Sequence, residues 1–384
     1  MARWRHACAR VFLAAATLAA VCLAGGRVDA AALTGAQAGK VDSIVRDAMA
    51  KQHLAGVEIG IGRQGTLLFS RGYGLRNRAK HLPVTANTVF PIGSITKQFT
   101  AAAVMQLVQS GKVKLDAKVG RYLPTAPHAC AVTVRELLDQ TSGLPDYLDD
   151  KPLLTTILNG TVKARSVAQY VALVDREALE FTPGTKWAYS NTNYALLGML
   201  VAKVSGNSYA AYLTDHVLNP VGLDQTQILD YSVPRGKNAA RGYTYANGVN
   251  ALVPDYSMAW ANSAGYLAST VADLIRWDGA FFGGSVISHA SLKIATTPPA
   301  GIHVRVTKDK ANNIAIGYAF GWVTGIDEGR HLIWHNGGLI GARAMNLVFP
   351  DDGLEIVVLT NATTADPEGI SLEIARLLYG SSTR

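Results

Sequence analysis

Cysteine is scarce in this chain: 384 residues hold three, Cys8, Cys22 and Cys130. The first two lie in the first 30 residues; if these are cleaved off, Cys130 is left alone and no internal disulfide is possible. Cys130 sits in Pro127-His128-Ala129-Cys130-Ala131 with no partner pattern, so a structural role fits it better than a nucleophilic one. Charge is thin as well, at 17% of residues against 49% hydrophobic, which excludes disorder and fibrous classes and provides for a large core. Lys/Arg runs and interleaved aromatic stripes are missing, so the formal charge of +8 does not point to nucleic acid. Four arginines and one aspartate fall in residues 1 to 30, which leaves +5 for the remainder, a surface suited to an anionic cell envelope. There is no internal repeat, low-complexity segment or long Pro/Ser linker, so residues 31 to 384 are expected to be one domain.

What is present begins with Arg3, Arg5 and Arg10 before the apolar run Val11 to Ala24, followed by Val28-Asp29-Ala30-Ala31. Basic, apolar and small-residue zones in that order predict a secretory signal peptide over residues 1–30 and a periplasmic or secreted product. A membrane anchor is the alternative, but the run falls short of the roughly 20 residues a spanning helix needs, so no stable span is expected after cleavage. Cys22 follows Ala19-Ala20-Val21, and the valine makes it a poor lipid-attachment site.

Further on, helical spacing runs from Lys40 to Gln52, and Val57 to Gly62 and Thr66 to Phe69 read as strands joined at Gln64-Gly65. Thr96 to Ser110 carries an apolar stripe through Phe99, Ala102, Val104 and Leu107, with Ser94 at the first turn. Between residues 130 and 290, helices are expected at Val132 to Gln140, Val167 to Leu179, Tyr194 to Val204 and Thr270 to Phe281, the last with Thr270 and Asp273 as a capping pair. Gly317 to Thr324, His331 to His335, Ala342 to Phe349 and Leu354 to Leu359 read as strands before a final helix from Glu368 to Tyr379. The pattern predicts a mixed α/β fold, more strictly α+β. One sheet is built from both chain ends (about 31–92 and 295–384) and a mostly helical lobe is inserted over about 93–294, with a cleft between.

Three short motifs then stand in order. Ser94-Ile95-Thr96-Lys97 puts a lysine on the same helical face as a serine, and the helix dipole favours an alkoxide while disfavouring a charged lysine. A serine hydroxyl needs such a base to act as a nucleophile. Alone, the pair could equally be a helix start with a solvated lysine. Tyr189-Ser190-Asn191 follows a turn at Phe181-Thr182-Pro183-Gly184; it is either ordinary helix capping or an extended segment that points a phenol and an amide the same way. His335-Asn336-Gly337-Gly338 ends a strand. Its glycines make either a hairpin turn or a strand edge that an acyl group can approach, with a backbone N-H as oxyanion donor and His335 as a titratable one. No Gly-x-Ser-x-Gly occurs, and Ala261-Asn262-Ser263-Ala264-Gly265 matches that pattern only in degenerate form.

Together with Leu137-Leu138-Asp139-Gln140-Thr141-Ser142-Gly143-Leu144, Ala264-Gly265-Tyr266 and Gly317-Tyr318-x-x-Gly321-Trp322, this ordered set resembles the penicillin-recognising serine hydrolases: class C β-lactamases, DD-carboxypeptidases, D-aminopeptidases and related esterases. The resemblance implies a β-lactamase/transpeptidase-like fold with an antiparallel sheet. In it Ser94 would be the nucleophile and Lys97 its base, and Tyr189 would share the base role and protonate the leaving group. Asn191 would bind the substrate amide and orient Lys97, and His335 would lend electrostatic support. Asn336, Gly337 and Gly338 would line the substrate, with the oxyanion held by the N-H groups of Ser94 and Gly338. No cofactor or metal is implied, and the partner is a small-molecule or peptide substrate, peptidoglycan-derived peptides included.

Two departures narrow the expectation. The β-lactamase form of the third motif is Lys-Thr-Gly, and His335-Asn336-Gly337 lacks its fixed cation and hydroxyl, which favours a peptidase or esterase over an efficient β-lactamase. Arg343 is a candidate for that cation but reads more simply as solvated. Gln140 stands where many relatives have histidine, and residue types alone do not reveal the consequence. Acyl transfer to an amine or alcohol instead of water is equally compatible. A silent binding protein would more simply have lost Ser94, Lys97 or Tyr189, and all three are present.

Overall fold

The apolar run Gly56–Arg63 finds one partner next to it in sequence and the other at the far end of the chain. It pairs antiparallel with Thr66–Asn77 and with Leu354–Thr360, the latter in a register from Val57 opposite Thr360 to Arg63 opposite Leu354. The computed structural model describes residues 32–159, 161, 165–302, 304 and 315–380. The signal peptide and its cleavage site, as read from the sequence, lie outside the described residues. Across the main sheet the strand order is Leu82–Pro83, Thr66–Asn77, Gly56–Arg63, Leu354–Thr360, Ala342–Phe349, Arg330–Leu339, Trp322–Asp327 and Ala315–Ala319. Every neighbouring pair is antiparallel, so both chain ends build one sheet.

The central strands are buried on both faces, which explains their near-continuous apolar sequence. Val57, Ile59, Ile356 and Val358 meet the helices Gly35–Gln52 and Pro367–Tyr379, through Val41, Val45, Ile370 and Ile374. On the opposite face Gly60 and Gly62 leave out the Cβ atoms that would overlap Val271 and Ile275, so the helix Val271–Phe282 seats directly on the strand. A large core joins that helix to Thr96–Gln109 and Asn191–Ser205. In it Phe99 stacks on Trp277 at 4.0 Å between ring centroids. At its centre Asn346 donates to Asp278 at 2.8 Å and Trp277 donates to Gln98 at 3.2 Å. Burial, with Glu355 nearby, pushes the Asp278 carboxyl well above its ordinary range, as expected of an acid kept neutral in the core. This knot pins the residue after Lys97 to both sheet and helix.

Several elements differ from the sequence reading, each for a local reason. Gly317 to Thr324 is two strands, because Phe320-Gly321 turns the chain with Gly321 at φ +80°. Asn191 opens the helix Asn191–Ser205 behind the N-cap Ser190, so Tyr189 and Asn191 do not share one extended segment. The glycines of His335-Asn336-Gly337-Gly338 lie inside the strand Arg330–Leu339, and the reversal comes later, at Ile340-Gly341. Thr270 caps its helix by accepting from the Asp273 N-H, but Asp273 turns its carboxylate to Gln225 and Thr226 instead of closing a box. The helix expected from Val167 to Leu179 is a five-residue α-helix, Val167–Val171, and a 3-10 turn, Ala172–Val174.

Candidate active site

Ser94 sits in a 3-10 turn, Gly93–Ile95, that feeds the helix Thr96–Gln109. The turn is held in front by the Ile92 N-H donating to Leu267 O at 2.9 Å. Behind, Thr96 Oγ1 donates to Gly93 O at 2.7 Å and accepts from the Leu267 N-H at 3.1 Å. Gly93 adopts φ +51°, and a Cβ on it would stand 2.8 Å from the Gly338 nitrogen. Only glycine therefore lets the Ser94 turn meet the strand Arg330–Leu339 closely. That strand pairs with Trp322–Asp327 only as far as Trp334, so from His335 onward its edge is open beside Ser94.

Three groups converge on the Ser94–Lys97 pair. Lys97 Nζ donates to Ser94 Oγ at 3.1 Å, to Asn191 Oδ1 at 2.9 Å and to Ala264 O at 2.7 Å, and Tyr189 Oη donates to Ser94 Oγ at 2.8 Å. Lys97 has no solvent exposure, and that burial pulls its ammonium down to about 7 against the opposing pull of Asp146. When Lys97 loses its proton, its two remaining N-H groups are claimed by carbonyl oxygens, which accept only. The lone pair is then left facing the Ser94 hydroxyl, the geometry a general base requires. Burial pushes the Tyr189 phenol well above its ordinary value, so it stays a proton donor.

His335 is buried, with Nδ1 on Asn336 O at 2.6 Å and Nε2 on Tyr318 Oη at 3.2 Å. The carbonyl requires the proton on Nδ1. Burial, reinforced by nearby Lys97, pulls the imidazole down to about 3. His335 is thus a neutral prop beside the Tyr189 ring, not a titrating donor and not a substitute for a cation. Asn336 and Gly338 are exposed and, with Gly337, border a cavity of about 360 Å³ shared with Arg343, Asp366 and Glu368. Arg343 is tied down by donating to Leu339 O at 2.6 Å. A Cβ on Gly337 would overlap Ile92 O, so this glycine keeps strand and nucleophile turn in contact.

Two residues not assigned a role from the sequence support the site. Gln140, at φ +61°, brackets Tyr189: its backbone oxygen accepts from the Ala188 N-H at 3.1 Å and its Oε1 from the Ser190 N-H at 3.0 Å. Its Oε1 also accepts from Asn193 Nδ2 at 2.5 Å. Substitution of Gln140 by alanine strands the Ser190 N-H and Asn193 Nδ2 and is expected to lower stability by about 2 to 4 kcal/mol in urea unfolding, since each orphaned group costs about 1 to 3 kcal/mol. Unchanged stability would dismiss the bracket. Asp146 accepts from Asn191 Nδ2 at 2.8 Å. Its position just past Leu137–Leu144 was the available signal, but one aspartate after a proline carries no message of its own.

With this geometry in place, comparison with known proteins is direct. The beta-lactamase family model matches residues 41–381. The protein flp of Staphylococcus aureus (strain MW2) is 28% identical over 335 residues, covering 84% of this chain and 62% of that protein. The penicillin-binding protein 4* of Bacillus subtilis (strain 168) is 31% identical over 314 residues, 77% of this chain and 66% of that protein. The chain thus spans a little over three fifths of the length of flp. Among solved structures, the octameric penicillin-binding protein homologue from Pyrococcus abyssi superposes with a TM-score of 0.79 at 28% identity, over 90% of this chain and 78% of that one. The D-stereospecific amidohydrolase from Streptomyces sp. gives 0.76 at 24% identity, over 90% and 99%, and shares the fold. A family model spanning nearly all the described chain, over a site in which a buried lysine and a phenol meet one serine, places this protein in the beta-lactamase family, among the penicillin-recognising serine hydrolases.

Proposed function

We propose that this protein is an exported serine hydrolase that works through an acyl-enzyme on D-amino-acid peptides or small esters. The observation that carries the reading is the fully buried Lys97, whose hydrogen-bonding directions are shared between Ser94 Oγ and two carbonyl acceptors. Lys97 removes the Ser94 proton as Oγ attacks the acyl carbonyl, and the N-H groups of Ser94 and Gly338 hold the oxyanion. Tyr189 protonates the departing amine or alcohol, and the proton that Lys97 took from Ser94 makes good the phenol's loss. Water then attacks the acyl-serine and the same groups work in reverse. The open edge of Arg330–Leu339 suits an extended peptide, which can add to it as a strand does. The neutral His335 gives an antibiotic carboxylate no cation, which supports peptidase or esterase chemistry over efficient β-lactam hydrolysis. A D-amino-acid amide is the first substrate to try, because the fold is shared with a D-stereospecific amidohydrolase and a D-amino acid amidase. Export rests on the N-terminal pattern of residues 1–30; among the described residues no helix is long and apolar enough to cross a membrane.

The test is covalent labelling of the purified protein by a fluorescent penicillin and a fluorophosphonate, beside hydrolysis of a D-aminoacyl amide, a D-Ala-D-Ala peptide and a nitrophenyl ester. Ser94→Ala is expected to abolish labelling and turnover together. A wild-type protein that takes up neither probe and turns over none of these substrates refutes the reading.

A further inference from the structure

The amide of Asn191 faces two ways, and what lies behind it decides which way. Its Oδ1 accepts from Lys97 Nζ at 2.9 Å and its Nδ2 donates to Asp146 Oδ2 at 2.8 Å. A primary amide has one accepting and one donating end, and a carboxylate can only accept. With Asp146 ionised, Nδ2 is forced towards it and the oxygen towards Lys97. Asp146 is itself fixed, because its Oδ1 accepts from the Leu148 N-H at 3.0 Å. The flanking chain is stapled to the same helix start: the Tyr147 N-H donates to Thr192 Oγ1 at 3.1 Å, and both Ser190 Oγ and Thr192 Oγ1 donate to Pro145 O. The carboxylate is thus held at a set distance from a base it does not touch.

The geometry points to Asp146 as a positioning residue for the acylation step: it locks the Asn191 amide with its oxygen on Lys97, and so keeps the lysine lone pair on Ser94. If the amide turned over, Asn191 would offer N-H groups to Lys97. A neutral lysine would then accept from Asn191 and lose the lone pair that takes the Ser94 proton. This inference rests on the acyl-enzyme reading above.

Asp146→Asn separates the lock from the fold. The Leu148 N-H still demands an oxygen, so the introduced amide must turn its NH2 to Asn191, and Asn191 must then turn its own NH2 to Lys97. The alternative arrangement keeps Asn191 in place but gives up the Leu148 cap. We expect D146N to unfold at the wild-type urea midpoint and to be acylated by the fluorescent penicillin, and phosphonylated by the fluorophosphonate, about 10²-fold more slowly. The exchange D146N/N191D returns an acceptor to Lys97, now a carboxylate, so it should recover part of the rate, with the rising limb of its pH profile moved up by about one unit or more. Other titratable groups around Asp146 are Tyr147, Tyr189 and Glu180, and none is changed in these variants. The Lys97 titration itself, followed by NMR of its ε-carbon, requires no substrate: it should fall in D146N and rise in the exchange.

Acylation of D146N within twofold of wild type overturns the inference, as does a lowered urea midpoint with the rate preserved, which would make Asp146 a cap alone. A Lys97 titration unmoved in both variants overturns it as well. The acyl-enzyme reading fails separately, on the wild-type protein, if no probe reaches Ser94; a lysine titration unmoved in both variants would still overturn the Asp146 lock in that case.

Discussion

Replacing Lys97 with methionine is expected to slow acylation of Ser94 by about 10³-fold, the scale of a lost general base. The same change removes a pH-dependent liability. Lys97 is held at about 7 by burial, against an ordinary value of 10.5. Between those values the unfolded chain carries a proton on this lysine that the folded chain does not, so wild-type stability falls as pH is lowered. Below about 7 both forms are protonated and the penalty levels off. Methionine has nothing to titrate. It also leaves Asn191 Oδ1 and Ala264 O without their donor, a loss that does not depend on pH. The difference in unfolding free energy, variant minus wild type, should therefore become more favourable to the variant by about 2 kcal/mol between pH 9 and pH 7. Urea unfolding of both proteins at several pH values measures it, and parallel curves would show that the lysine is not depressed in the folded state. Lys97 is thus kept buried and depressed at the expense of stability, a trade-off common at functional sites.

Tyr189→Phe should separate substrates by their leaving groups. The phenol stays protonated and donates to Ser94 Oγ, so removing its hydroxyl deprives the leaving group of its proton. An amine cannot depart without one, whereas a nitrophenolate can. Turnover of D-aminoacyl amides is expected to fall by about 10²- to 10³-fold, and hydrolysis of nitrophenyl esters by about tenfold or less. The wild-type acylation rate should rise with pH through about 7 as Lys97 is freed of its proton, and that limb should persist in the phenylalanine variant. Equal losses on both substrates would assign Tyr189 to holding Ser94 in place. Loss of the limb would make Tyr189 part of the base.

The large features of fold and site were legible because they depend on local pattern. Period-two and period-three-to-four spacings marked most strands and helices of the sheet layer, and the serine and lysine three residues apart need one helical turn to meet. What escaped depends on contacts between distant segments. The turn at Phe320-Gly321 has a single glycine within an otherwise apolar run, so Gly317 to Thr324 looked continuous. The glycines after His335 read as well for a turn as for a strand, since the deciding fact is their contact with Ile92 and Gly93. His335 looked titratable because a sequence does not disclose that Tyr318 and the Asn336 carbonyl occupy both ring nitrogens. Gln140 and Asp146 act on Tyr189 and Asn191 from well over forty residues away in the chain, a relation that no spacing encodes.

The pairing of Gly56–Arg63 with Leu354–Thr360 also governs when the protein can fold. About 300 further residues must be made before Val57 can meet Thr360, and Gly93 meets Gly338 only once the late strands exist. Sheets closed by such distant contacts assemble slowly, on a scale of milliseconds to seconds. Until then Gly338 does not stand opposite Ser94, and the unfinished chain is expected to be inactive.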